Sequence, residues 1–406
     1  MLHCIKHIPT AHTGAVGILV SGENMKKKVL TFASYVLVSL LSTAATLALV
    51  TWMTGGVSKL DQLEKLIEEC YIGDADMTVV EDAAAEAMLA ATGDRWSDYI
   101  PAADYAAHVE TSENAYVGIG ITIMVAEDGS GLQIMQVNAG SSAEEAGLLV
   151  DDVITAIEGQ SAADMTTSDA RNLVRGKEGT QVELTILRSG ETFTVAVTRR
   201  KVEVQVASGV LLEDNVGLIT IANFDDRCAS ETIAAIESLL AQGAKSLIFD
   251  VRNNPGGYAH ELVDLLDYLL PEGELFRMED YQGNTSVDMS DAACLEIPMA
   301  VLVNRDSYSA AEFFAAALQE YGAATVVGEK TSGKGYFQTT YLLKDGSAVA
   351  LSIGRYFTPK GISLEGVGIT PDVEVAVDDE TYAMIYYAQL PMERDPQIHA
   401  ALEIMK

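Results

Sequence analysis

The order of apolar and polar positions divides the chain into four textures. Residues 29–53 form an unbroken run without a charge, preceded by Lys26-Lys27-Lys28. From Ser58 to Cys70 the apolar positions Leu60, Leu63, Leu66 and Ile67 recur at helical spacing. A second, alanine-rich helix is predicted over 80–92, with Gly93 as its natural stop. Between Tyr116 and about Arg200 the texture changes to short β-branched runs and glycine turns. Strands are predicted over 116–123, 132–137, 153–158, 182–187 and 192–198, with short helices inside 140–148 and over 168–174. From Val216 strands and helices alternate: strand 216–221, helix 229–241, strand 246–251, helix 260–270, strand 299–303, helix 310–320, and strands 325–327 and 337–343. Wholly apolar strands between helices predict a layered α/β core. Residues 376–406 read as a polar tail with a helix over 381–389.

Composition and charge narrow the classes. The chain has 406 residues, enough for two or three domains, and 59 Asp and Glu against 26 Lys and Arg. A net charge of −33 argues against nucleic acid as a partner, because that binding neutralises phosphates with cations. Cys4, Cys70, Cys228 and Cys294 are scattered without CxxC or Cys/His spacing. They predict free thiols and no metal site, with a Cys228–Cys294 bridge as the alternative. A bilayer needs about 20 apolar residues, so 29–53 can cross it, and it exceeds the roughly 7–15 of a cleaved signal. A retained signal anchor is expected, with the lysine side and residues 1–28 cytoplasmic and everything from Thr54 outward extracytoplasmic. Met25-Lys26-Lys27-Lys28 resembles a natural start, which marks 1–24 as a misassigned extension.

The segment 111–200 resembles a PDZ domain of the bacterial-protease type. The resemblance rests on Val117-Gly118-Ile119-Gly120 and on the run Gly140-Ser141-Ser142-Ala143-Glu144-Glu145-Ala146-Gly147-Leu148. It implies that backbone N–H groups of Val117, Gly118, Ile119 and Gly120 receive the carboxylate of a peptide added as a strand. The bland alternative is a turn whose glycines supply positive φ.

Chemistry concentrates in Asp306-Ser307-Tyr308-Ser309-Ala310-Ala311-Glu312 and in Thr331-Ser332-Gly333-Lys334-Gly335. Ser309 and Glu312 form S-x-x-E, a helix capping box. Yet the buried strand before Ser309 and the apolar helix after it also suit a nucleophile at a helix N-terminus, where N–H groups stabilise developing charge. Lys334 can act as a base only when neutral, a form that burial favours. Gly328 to Lys334 also matches G-x-x-x-x-G-K of a phosphate-binding P-loop, but Gly335 replaces its Ser/Thr and a strand pattern follows instead of a helix. Histidine catalysis is weakly supported. His3, His7 and His12 precede the anchor, His108 sits in a helix-like segment, His399 is in the tail, and only His260 follows a promising loop.

These motifs together are similar to the C-terminal processing peptidases, the tail-specific serine proteases that use a Ser/Lys dyad. The resemblance spans Ser58 to about Val375. It is carried by 93–99, the PDZ sequence, Asp250-Val251-Arg252-Asn253-Asn254-Pro255-Gly256-Gly257, 307–312, 328–338, Tyr356-Phe357-Thr358-Pro359 and Gly368-Ile369-Thr370-Pro371-Asp372. It implies Ser309 as nucleophile, Lys334 as general base, and Gln338 as the group that orients the lysine. The N–H groups of Ala310 and Gly257, with Gly256 as alternative, would form the oxyanion hole. Arg175 becomes the candidate link between PDZ occupancy and the active site, against an ordinary surface arginine. Tyr308 and Ala311 depart from the usual Ser-Ala-Ser-Ala-Ser-Glu and would narrow the cleft. The expected architecture is a helical element over 54–110, a PDZ domain over 111–200 and a protease core over 201–375. No cofactor is expected, and the partners are proteins with accessible C-termini and the lipid bilayer; a homo-oligomer is compatible. A catalytically silent PDZ scaffold and a P-loop nucleotide enzyme are the alternatives.

Overall fold

The computed structural model describes residues 22–53, 58–126 and 128–406, in two units, 1–81 and 82–406. Most of the expected cytoplasmic stub, with His3, Cys4, His7 and His12, lies outside the described residues. The first unit contains the helix Gly22–Met53, in which Lys27–Val50 is long and apolar enough to cross a membrane. It also contains Lys59–Cys70, whose start is fixed by the sequence. Ser58 Oγ accepts from the Asp61 N–H, and the Asp61 carboxylate accepts from the Ser58 N–H. The helix Met77–Ala90 begins in this unit and ends in the next.

The second unit is built on a six-stranded sheet ordered Ala207–Leu211, Val216–Ile221, Ser246–Asp250, Met299–Val303, Ala324–Gly328, Val373–Glu374. All neighbours are parallel except the first pair. Both faces are buried, which explains the unbroken apolar runs. Met299, Val301 and Val303 enter the larger core with Phe249, Leu266 and Phe314, whereas Ala300 and Leu302 enter a smaller one with Leu218 and Ile248. The helices Cys228–Ala241, Ala259–Leu269 and Ala310–Tyr321 supply the larger core.

A second, antiparallel sheet joins Asp98–Ile100, Ala348–Phe357, Gly273–Asp280 and Thr285–Ser290, with Tyr336–Leu342 on Ala348–Phe357. Of these five strands, sequence periodicity foresaw only the one at 337–343. The strand expected over 116–123 is in fact two. Gly120 takes φ 81°, so Ala115–Gly118 pairs with Arg200–Glu203 while Ile121–Val125 enters the PDZ sheet. That sheet runs Ile121–Val125, Leu132–Val137, Val153–Ile157, Gln181–Arg188, Glu191–Thr198 around its own core of Leu132, Ile134, Ile154, Leu184 and Ile186.

The segment read as a tail also packs into the body. After the helix Asp379–Tyr386, the helix Pro396–Ile404 places Ile398 and Ala401 in the smaller core. Arg252, almost wholly buried, clamps it by pairing with Asp250 at 2.6 Å and Asp395 at 2.8 Å. Replacing Arg252 by Ala would leave two buried carboxylates unopposed. We expect Arg252→Ala to lose roughly 3–5 kcal/mol of stability, read as a fall in the urea midpoint.

Candidate active site

Three neighbouring parallel strands deliver the predicted chemistry to one edge. Ser246–Asp250 runs into the Asn-Asn-Pro-Gly-Gly loop, Met299–Val303 into the Ser309 turn, and Ala324–Gly328 into the Lys334 loop. The carboxyl ends of parallel strands are where such sheets open a crevice. The loops are tied to each other by short polar links. Asn253 and Asn304 exchange hydrogen bonds at 3.0 and 2.7 Å, the Ser307 hydroxyl donates to the Val251 carbonyl at 2.7 Å, and the Tyr308 N–H donates to the Asn254 carbonyl.

Ser309 precedes the helix Ala310–Tyr321 with φ 58° and ψ −128°, a conformation rarely occupied by a residue with a side chain, and its side chain makes no cap hydrogen bond. The expected S-x-x-E partner is nevertheless present, and it does more than cap. The wholly buried Glu312 carboxylate accepts from the N–H of Ser309 at 3.0 Å, of Gly333 at 2.8 Å and of Lys334 at 2.8 Å, and from the Thr331 hydroxyl. One side chain therefore fixes both the serine turn and the lysine loop. Burial pushes its carboxyl up, against the pull of these donors.

Lys334 is largely removed from water. Its Nζ lies 5.1 Å from the Trp96 ring centroid and 5.8 Å from that of Tyr308, two rings that stack on each other. No ion pair or side-chain hydrogen bond reaches it among the described residues. Burial holds its pKa below the ordinary lysine value, while the more distant charges of Asp94, Glu365 and Glu312 act in the opposite sense.

Ser309, Lys334, Gln338, Gly256 and Gly257 line a single cavity of about 310 Å³ with Tyr308, Pro255, Phe337 and Tyr356. Both glycines are needed for this approach. A Cβ on Gly256 (φ 86°) would lie 2.7 Å from Ser309 Cβ and 2.8 Å from the Ala310 nitrogen; one on Gly257 would strike the Phe224 carbonyl at 2.5 Å. The Gly257 and Ala310 N–H groups take no acceptor among the described residues. Gln338 shares the cavity, but its amide donates to Ser352 Oγ at 3.0 Å and to the Tyr336 carbonyl at 3.2 Å. His260 is exposed and stacks on Tyr258, outside the cavity. His108 and Asp225 line it instead. Sequence reasoning missed both, because they arrive from a helix and a loop more than 80 positions before Ser309. The P-loop alternative fails in the structure: Lys334 is followed by the strand Tyr336–Leu342, so no helix start is available to a phosphate.

A second groove of about 330 Å³ lies between the PDZ strand Ile121–Val125 and the helix Thr167–Val174. Gly118, Ile119, Gly120 and Arg175 line it, but Val117 does not, being paired with Lys201 in the short ribbon. Arg175 lies over the Tyr116 ring at 4.4 Å and pairs with Glu110 at 2.9 Å. Cys228 and Cys294 are free thiols rather than a bridge, and burial pushes the Cys228 thiol up.

A serine at a strained turn and a sheltered lysine thus share one cavity with two free N–H donors on an α/β body. Comparison with known proteins gives the class, a serine-type peptidase with a PDZ domain. Residues 215–375 match peptidase family S41, and residues 133–188 match the PDZ domain. The chain is 33% identical to the "Carboxyl-terminal-processing protease" of Synechocystis over 79% of its own length and 76% of that protein's. It is 32% identical to the "Carboxy-terminal processing protease CtpA" of Bacillus subtilis, over 83% and 72% respectively. Among solved structures, the "photosystem II D1 C-terminal processing protease" is 28% identical, covers 78% of this chain and 87% of its own, and gives a TM-score of 0.45. The chain belongs to the carboxyl-terminal processing peptidases of family S41.

The Glu312 geometry makes a direct prediction. Glu312→Ala removes the acceptor of four donors at once, and unsatisfied buried donors cost about 1–3 kcal/mol each. We expect at least about 2 kcal/mol of lost stability by urea denaturation, together with loss of peptidase activity even at temperatures where the variant remains folded.

Proposed function

We propose that this protein is a membrane-anchored, extracytoplasmic endopeptidase that cleaves proteins captured by their C-terminal tails, with Ser309 and Lys334 as a catalytic dyad. The observation that carries the dyad is Glu312, which binds the backbone of Ser309 and of Lys334 through one carboxylate and so fixes their separation. Neutral Lys334 takes the proton of Ser309 Oγ as that oxygen attacks the scissile carbonyl. The resulting oxyanion is received by the Gly257 and Ala310 N–H groups, whereas the alternative donor Gly256 already gives its N–H to Asn254 Oδ1 at 2.8 Å. Lys334 then protonates the departing amine, and an acyl-enzyme remains on Ser309. Water, deprotonated by Lys334, releases the new C-terminus. Gln338 acts on the lysine through the shared cavity once substrate has rearranged its amide. The PDZ groove holds the substrate tail as an added strand, with Gly118, Ile119 and Gly120 at its carboxylate. Arg175 transmits occupancy to Glu110 and thereby to the helix Ala102–Ser112, which also carries His108 into the cleft. The helix Gly22–Met53 tethers the enzyme, with the lysines of 26–28 on the cytoplasmic side.

Ser309→Ala and Lys334→Ala should each abolish cleavage of a tail-exposed protein while leaving the circular dichroism spectrum and melting temperature unchanged within about 3 °C, a shift equivalent to less than about 1 kcal/mol. Continued proteolysis by purified Ser309→Ala would overturn the mechanism. The pH profile gives a second check. Activity requires neutral Lys334, so kcat/KM rises with pH through a pKa held below the ordinary lysine value by burial. Glu365 raises that pKa, so Glu365→Gln should move the rising limb to lower pH. A limb that stays in place or moves upward would remove Lys334 as the base.

A further inference from the structure

The dyad, the oxyanion donors and the PDZ groove leave one charged group of the cleft without a task. Asp225 follows Phe224, just beyond the strand Val216–Ile221, and lines the same cavity as Ser309 and Lys334. Its backbone is held firmly. The Asp225 N–H donates to Asn223 Oδ1 at 3.1 Å, and a Cβ on Gly257 would lie only 2.6 Å from the Asp225 nitrogen. Asp225 therefore abuts the very residue whose N–H is assigned to the scissile carbonyl.

Its neighbours are satisfied, and it is not. Asp226 pairs with Arg227; Glu231 accepts from Arg227 and from the Val206 N–H; Glu261 accepts from the Ala229 N–H at 2.7 Å. Among the described residues the Asp225 carboxylate receives no hydrogen bond and no ion pair. A half-buried carboxylate without a partner is unfavourable until a cation reaches it. Pro255, Phe337 and Tyr356 line the same cavity with apolar surface, the surroundings that the methylene stem of a long cationic side chain prefers.

We propose that Asp225 is a specificity-determining residue, forming a subsite for a lysine or arginine side chain of the substrate at one of the two residues flanking the scissile bond. The inference rests on the peptidase reading of Ser309 and Lys334 and adds the class of residue that the cleft selects.

Burial, and then the charge of Glu261, raise the Asp225 carboxyl to about 7. The titratable groups around it are His108, Lys334, Tyr308 and Tyr356 of the cavity lining, together with Glu261, Tyr258 and Cys228, which feel its charge or act on it. The subsite is charged above that pH and loses its charge below it. Selection for a cation is thus strongest in mildly alkaline solution and fades as the pH falls through about 7.

The test uses the full-length protein in detergent and peptides with one common C-terminal tail, so that PDZ capture is constant. The scissile pair carries lysine or its uncharged counterpart norleucine at either position. At pH 8 we expect kcat/KM to favour lysine at one position by about tenfold, the scale of a desolvated charge pair. Asp225→Asn should bring the ratio to about one, Asp225→Glu should restore it, and lowering the pH to 6 should shrink it in the native enzyme. Equal cleavage of the two peptides by the native protein, or a ratio that survives in Asp225→Asn, overturns the subsite. Binding of the same peptides to Ser309→Ala separates the two claims. A lysine preference in binding without any cleavage by the native enzyme supports the subsite and overturns the peptidase reading, whereas cleavage without preference does the reverse.

Discussion

The site depends on a buried carboxylate that must find donors. Glu312 lies in the first turn of an apolar helix, where water does not reach it. In that position it is tolerable only if its oxygens are fully engaged. Its demands are met by the Ser309 N–H on its own helix and by three donors of one loop, Thr331, Gly333 and Lys334. A local capping interaction is thereby extended into a tertiary clasp. The strained φ of Ser309 is what aims its N–H at this carboxylate while releasing its hydroxyl from capping duty. Strain and clasp belong together, since the backbone conformation persists only because four hydrogen bonds over-determine it.

Around that clasp the sheet does the coarse positioning. Three adjacent parallel strands end at one edge, and each turn that follows brings one component. The Gly256-Gly257 turn presents the Gly257 N–H, the Ser309 turn presents a hydroxyl, and the Lys334 loop presents an amine beside the stacked rings of Trp96 and Tyr308. The rings remove water from the amine, and their faces offer it a cation–π interaction of only about 0.5–2 kcal/mol. Burial wins this contest and holds the lysine's pKa below its ordinary value. Tyr308, which departs from the small residue usual in such motifs, is thus part of the shelter as well as of the cleft wall.

The strands of the parallel sheet were legible because they are buried on both faces and leave continuous apolar runs; Met299–Val303 and Val216–Ile221 stand as read. The antiparallel sheet was not. Thr285–Ser290 is mostly exposed and Ala348–Phe357 mostly half-exposed, so polar residues interrupt the pattern, and Gly354 with Arg355 hides a ten-residue strand. Pro396–Ile404 passed for tail because its buried positions, Gln397, Ile398 and Ala401, include a polar residue and leave no clear apolar stripe. In the site, Ser309, Lys334 and Gly257 carried motifs that point to chemistry. His108 and Asp225 carried none. Their place follows from how distant elements pack, and the only hint was the Asp225-Asp226 pair a few residues beyond the buried strand Val216–Ile221.

The same long-range clasp has a consequence for the timing of activity during synthesis. Glu312 reaches its partners only after 331–334 have emerged and the strand Ala324–Gly328 has docked beside Met299–Val303. Contacts of this kind form late, because they close a loop before they return any stabilisation. Under the proposed dyad, a chain that has made the serine helix but not yet the lysine loop would hold its nucleophile without a base and without the clasp that fixes the Ser309 turn. Such a nascent chain would be harmless to its unfolded neighbours, and its proteolytic power would come late in folding.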